Sequence, residues 1–362
     1  MLPFARMLEY GNEIPHPTDK IKKMRSGQNH TGLLLHDGSF YVQGLGNAYQ
    51  TGLNTTNDTV NFTLISTGVD DISIGYNNTF YRVGSQVFGA GVMSNYSTVI
   101  GTYQSFVDVS TTIFAGLTIS QIKEIQISSS GLFALMNDGT LYAKGINTNT
   151  ELGQFVSRTD WTAVAVNVIG VYAGFECSYF LKSDNTLWGC GKNSNSQLGL
   201  STAVSTWTQI STDVYKVYAG YYNLMVIKGD GNLYVCGTRA NGLFGNGTTS
   251  GNTYVLTQVL TGISNPNFGR SFLYNTGNAF FDSTGVWSTG TNAALGLGGL
   301  STTTWTKVNI SALGTIKDMT LMANGILVHD GTKIYGSGNS RLLPGISTGT
   351  TYNTFIQCVT PY

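Results

Sequence analysis

Seven times along its 362 residues the chain repeats one hairpin signature: an apolar strand, a turn often written Asp-Gly, an apolar-aromatic strand and a final glycine. The copies read HDGSFYVQG (36–44), GSQVFGAG (84–91), NDGTLYAKG (137–145), SDNTLWGCG (183–191), GDGNLYVCG (229–237), STGVWSTG (283–290) and HDGTKIYGSG (329–338). They close on Gly44, Gly91, Gly145, Gly191, Gly237, Gly290 and Gly338, spaced 46 to 54 residues apart. Self-similarity at a period of about fifty residues marks a propeller or a solenoid, so the domain count that length alone suggests does not apply.

Each unit holds more than its hairpin. A Leu-Gly or similar marker follows the closing glycine, as in Leu152-Gly153, Leu198-Gly199, Phe244-Gly245 and Leu295-Gly296. An aromatic strand comes next, beginning at Phe62, Phe106, Trp161, Trp207, Tyr254, Trp305 and Phe355. A further strand precedes the hairpin, as at Val171–Gly174 and Val217–Gly220. Four strands per unit and seven units predict an all-β fold, a seven-bladed β-propeller of four-stranded blades. Asp-Gly suits hairpin turns that need positive φ, and each closing glycine sits where a side chain would crowd the adjacent strand. The first unit opens at Ile21 with no aromatic strand before it and the last ends on one. This predicts a ring closed by the C-terminal strand, Phe355 to Cys358 completing the blade begun at 21–43. Residues 1–18 form a non-repeat N-terminal arm and 19–362 the propeller.

The combination of DGxLYxxG, Asn, QLG and an aromatic strand resembles the repeats of the regulator of chromosome condensation family, over residues 20–362. The fullest copy holds Asp184, Gly191, Asn193, Gln197-Leu198-Gly199 and Trp207, and the first unit keeps Gly-x-x-His-Thr as Gly27 to Thr31. Other units drift: Asn185 replaces the turn glycine, and the second unit lacks Asp-Gly and Leu-Gly. The resemblance implies the propeller fold and a divergent, phage-type member. It carries function less far, because one fold hosts many functions. Family members serve as exchange factors for small GTPases, chromatin-binding modules or interaction platforms. Exchange in the family uses an added β-wedge, for which the nearly even spacing leaves little room.

Composition narrows the partners. Lys plus Arg and Asp plus Glu number 19 each, and only 10% of residues are charged, against about 25% in typical domains. Nucleic acid is therefore not an expected partner, since its binders gain affinity by neutralising phosphates. No apolar run reaches the length of a membrane helix, so no membrane insertion is expected, and the N-terminus shows no signal-peptide pattern. Cys177, Cys190, Cys236 and Cys358 form no CxxC, and Cys190 and Cys236 share a repeat position that reads as small apolar packing.

Candidate site residues weigh against catalysis. Asp37, Asp138, Asp184, Asp230 and Asp330 read as hairpin-turn residues rather than a ring of carboxylates. Trp161, Trp207 and Trp305 read as inter-blade packing rather than a sugar platform. His36 and His329 share a repeat position but are too few for zinc, and Gly242–Gly247 lacks the helix of a nucleotide fingerprint. A glycan-cleaving site would need paired carboxylates among few non-turn acids, including Glu124, Glu151 and Glu176. No enzyme and no cofactor or metal is expected. The basic run Asp19–Arg25 reads as a solvated edge. The candidate partner-binding residues are Leu2, Phe4, Met7, Leu8 and Tyr10 in the arm, and Tyr96 and Tyr103 in the long loop 92–120. A second long loop spans 238–253, and loops on a rigid scaffold commonly bind. Few charges, Asn/Thr/Gly-rich loops and an apolar arm lead to an expected non-enzymatic structural or host-attachment role in a bacteriophage virion, head- or tail-associated. The expected partners are other virion proteins or a host surface protein or glycan. The alternative is a cytoplasmic interaction module or a GTPase exchange factor.

Overall fold

The computed structural model describes residues 19–96, 101–154, 157–263, 266–267, 277–291, 301–308, 310, 313–346 and 350–362. Among them the only helical turns are three short 3-10 segments; the rest of the regular structure is strand. The strands form seven antiparallel sheets, one per repeat unit, so the chain is an all-β seven-bladed propeller. Blades 1 to 5 span 21–66, 71–108, 122–165, 168–211 and 214–260, and blade 7 spans 318–357; each has four strands hydrogen-bonded in chain order. Blade 6 shows Gly277–Asp282, Gly285–Gly290 and Thr302–Val308, with Asn267 bridged to Phe281 where an innermost strand would lie.

First strands touch first strands of neighbouring blades, which places them around the axis. Second strands are sandwiched between blades: every residue of His30–Leu35 and Gly131–Met136 is buried. That two-sided burial explains why the hairpins read as continuous apolar runs instead of alternating ones. The aromatic fourth strands lie on the rim, and Thr59–Ser66 contains no buried residue.

The repeat residues have the local roles that their chemistry dictates. Asp37, Asp138, Asp184, Asp230 and Asp330 each accept the backbone N–H two residues ahead, at 2.8–3.0 Å, closing an Asx turn. Gly237 pairs with Asn223 at φ +118°, and a Cβ there would lie 2.3 Å from the Tyr222 carbonyl oxygen. The other closing glycines occupy the same register, opposite the first residue of the second strand. Trp161 packs on Phe114 and donates to the Ile113 carbonyl, Trp207 packs on Phe133 of blade 3, and Trp305 covers Gly245 of blade 5. All three are joints between blades.

Ring closure departs from the expectation. Blade 1 has its own rim strand, Thr59–Ser66, and the C-terminal strand Thr351–Gln357 pairs with Ile334–Asn339 inside blade 7. The physical reason is phase. Every rim strand follows its own hairpin, so seven complete units run from Ile21 onward and no strand is left to cross the gap. Side chains and loops close the ring instead. Gly345 N–H donates to Val60 O, Gln43 Nε2 to Leu342 O, and the Gly331 carbonyl accepts from Lys20 and Ile21. Arg25 pairs with Asp318 at 2.8 Å, Lys317 approaches Asp19, and Arg341 pairs with Asp58.

Candidate functional site

The four-residue turns between first and second strands gather at one mouth of the axis. Gly27, Gly75, Ser128, Gly174 and Gly220 each donate a backbone N–H to the carbonyl three residues ahead, at 2.8–2.9 Å. Neighbouring turns abut: a Cβ at Gly27 would lie 2.1 Å from the Gly75 oxygen, and one at Gly174 would lie 3.0 Å from that of Gly220. In blades 1 and 4 glycine opens the turn because the next blade's turn already fills the space.

The residue after that glycine is aromatic in blades 2, 4 and 5. The Phe175 and Tyr221 rings stack with centroids 4.0 Å apart, and Tyr222 meets Tyr221 edge-on at 4.4 Å. Tyr76 of blade 2 reaches within 6.2 Å of Phe175 across blade 3, whose turn carries the smaller Ser129. All four rings are partly exposed. Aromatic faces beside solvent offer stacking area at low entropic cost.

Below the mouth, the register places a polar layer around the axis: Lys23, Asp71, Glu124, Gly170, Lys216, Asn267 and Asp318 each pair four residues beyond the start of their second strand. Lys23 pairs with Asp71 at 2.5 Å, and Lys22 donates to the Asp70 carbonyl. Burial holds the Lys216 ammonium below the usual lysine range. Counting Arg25, three cations face three carboxylates here, so the axis has no strong field of one sign. The basic run 19–25 is accordingly not a solvated edge. It is the innermost strand of blade 1, because the apolar Ile21 and Met24 are buried and hold the lysines against the next blade.

The sequence-predicted site residues fare unevenly. Leu2, Phe4, Met7, Leu8 and Tyr10 lie outside the described residues. Tyr96 is a correction: it is buried, its phenol held above its usual range by that burial, and it accepts from Asn78 Nδ2 at 2.8 Å. Tyr103 is partly buried against the same cluster. These tyrosines are drawn inward because the loop between blades 2 and 3 supplies core, including the fully buried Ile113 and Phe114. His36 is exposed whereas His329 is buried, its Nδ1 accepting from Gly331. Glu151 is buried against Ser129, Ser130 and the Asn149 N–H, standing where Gln50 and Gln197 accept the same backbone bond. Glu176 pairs with Lys192 at 2.7 Å. The aromatic mouth itself was missed, although Gly75-Tyr76, Gly174-Phe175 and Gly220-Tyr221 recur at one repeat position and would have signalled it.

No family model and no curated protein matches the sequence. Solved structures do match the fold. Human WBSCR16 superposes with a TM-score of 0.76 at 14% identity, covering 89% of this chain and 95% of that one. Prp20p of Saccharomyces cerevisiae, described with its binding to Gsp1p and histones, gives 0.76 at 12% identity over 95% and 88%. The same yeast protein, named as yeast RCC1 and bound to Kap60, gives 0.73 at 12% over 94% and 85%. At these identities the likeness establishes the fold: a seven-bladed propeller similar to that of yeast RCC1.

Proposed function

We propose that the protein is a non-catalytic binding propeller that seats a protein partner on the axial mouth formed by Tyr76, Phe175, Tyr221 and Tyr222, and that it does so in a bacteriophage particle. The observation that carries the binding site is the partly exposed aromatic stack, assembled from three blades above a charge-balanced axis. Interfaces concentrate their energy in such aromatic anchors. Yeast RCC1, which has this fold, is described with protein partners, and that supports the partner class. The particle setting rests on composition: 10% charged residues and polar, glycine-rich loops.

The test is quantitative mass spectrometry of gradient-purified particles from the source culture, with a photo-crosslinking residue at position 221. The expected result is a fixed ratio to the major capsid protein and a crosslink to one particle protein. Absence from particles overturns the setting. Presence without a crosslink from 221 overturns the mouth as the contact. A second reading, an exchange-factor-like module in the cytoplasm, is favoured by the 95% coverage of this chain by the Prp20p match. It predicts faster nucleotide release from a small GTPase.

A further inference from the structure

The row of rings at the mouth is broken at blade 3, where Ser129 stands in the position of Tyr76, Phe175 and Tyr221. Tyr76 and Phe175 flank the break with centroids 6.2 Å apart and planes inclined by 51°. Ser129 is partly exposed, and its Oγ donates to Glu151 Oε1 at 3.3 Å. Glu151 itself has no exposed surface. The break is thus a slot with two aromatic walls and, one hydroxyl beneath its floor, a buried carboxylate.

The fold does not require that charge. Glu151 accepts the Asn149 N–H at 3.0 Å, and the neutral Gln50 and Gln197 do the same for Ala48 at 2.8 Å and Asn195 at 2.9 Å. Beyond this bond, only the Ser129 and Ser130 hydroxyls hold the carboxylate. Lys144 and Arg158 of blade 3 donate to the Ile113 and Leu152 carbonyls, and Lys192 of blade 4 pairs with Glu176. Among the described residues no cation pairs with Glu151. Burial raises the Cys177 thiol to about 12, and the Glu151 charge acts on it in the same direction. A buried charge with no counter-charge is costly, and a cation brought from outside would relieve it.

We propose that the slot between Tyr76 and Phe175 takes an arginine side chain of the protein partner, its guanidinium lying on the rings and against Ser129, above the Glu151 carboxylate. This rests on the mouth being the partner's seat. Cations are drawn to aromatic faces, and a planar guanidinium stacks on them while donating hydrogen bonds. Among the described residues of the mouth turns the only charged side chain is Glu176, so nothing cationic there repels the arginine.

The probe is a capped Gly-Arg-Gly peptide titrated into the full chain while backbone amide resonances are followed. Saturable shifts are expected at 76–77, 128–130 and 175–176. The same peptide with citrulline, the uncharged isostere of arginine, should give none. In Glu151→Gln, which installs the side chain that blades 1 and 4 already carry, half-saturation should need about tenfold more peptide. No saturable shifts with arginine, equal binding of the citrulline peptide, or binding unaffected by Glu151→Gln overturns the inference. A Gly-Lys-Gly peptide that binds as tightly overturns guanidinium as the group selected. The crosslink from position 221 is scored separately. A crosslink without arginine binding leaves the mouth as the seat and removes the slot, whereas arginine binding without a crosslink removes the seat while the cation chemistry of the slot stands.

Discussion

The seam between blades 7 and 1 and the joint between blades 5 and 6 meet the same geometric demand with different chemistry. At the inner joint Trp305 is buried on Phe280 and over Gly245, and Asn278 and Thr289 donate to the Leu243 and Gly242 carbonyls. No ion pair between described residues crosses it. At the seam the corresponding rim aromatic, Phe62, is only partly buried against Leu342 and Leu343, and three of the chain's few charge pairs gather: Arg25–Asp318, Lys317–Asp19 and Arg341–Asp58. The inner joint is also tethered by the chain itself, whereas the seam joins segments nearly three hundred residues apart. Apolar burial is strong but poorly directional, while paired charges disfavour wrong registers. The seam uses charge where the chain supplies no tether.

The largest expected effect separates the two joints by packing. Trp305→Ala should lower the unfolding free energy by about 3–5 kcal/mol, as for other buried aromatics. Phe62→Ala, whose ring is only partly buried to begin with, should cost about 1–2 kcal/mol. Guanidinium unfolding of the two variants measures this, and equal losses would break the contrast.

Acid should act next, and on blades 1 and 7. His30 is fully buried with Nε2 beside Thr79 Oγ1 at 2.9 Å, and burial pushes its pKa down to about 3. His329, in blade 7 close to the Arg25–Asp318 pair, is lowered for the same reason. A histidine neutral in the fold and titrating near 6.5 when unfolded leaves stability intact above pH 6.5. Below that the unfolded chain binds the extra proton, and each such group removes about 1.4 kcal/mol per pH unit until its folded pKa is reached. Urea midpoints between pH 7 and 4 should therefore fall steeply, and less so in His30→Gln. An unchanged slope in that variant would remove His30 from the account.

How much of this was legible depends on what each residue answers to. The blades were readable because hairpin chemistry is local: Asp184 needs only Thr186 two residues away, and Gly237 needs only its own partner strand. The Trp joints were readable because an aromatic recurring on a rim strand has one apolar place to go. Closure was misread because phase is ambiguous at the ends of any repeat, and a chain of seven whole units looks the same as one swapped by a strand. Tyr96 was misread because loop composition does not reveal that Asn78 lies behind it. The aromatic mouth escaped although its Gly-aromatic pairs recur at one repeat position in blades 2, 4 and 5, because only the fold shows that those turns meet at the axis.

Salt sharpens the comparison at its fine end. The seam pairs are partly exposed, with side-chain exposures from 15% to 52%, and pairs of that kind contribute about 0.2–1 kcal/mol each before screening. Raising ionic strength to about 1 M shortens the screening length to about 3 Å, which weakens all three together and leaves the Trp305 joint untouched. Hydrogen exchange should therefore quicken at Ile21–Ser26 and Asp318–Met322 while Thr302–Val308 stays constant, and Arg25→Met should reproduce part of that change at low salt. Because the first strand of blade 1 also holds Lys23 against Asp71, opening at the seam should loosen blade 1 before blade 5. If salt instead quickens exchange evenly around the ring, the charges act on the whole disc and the seam is no weaker than the joints that the chain itself tethers.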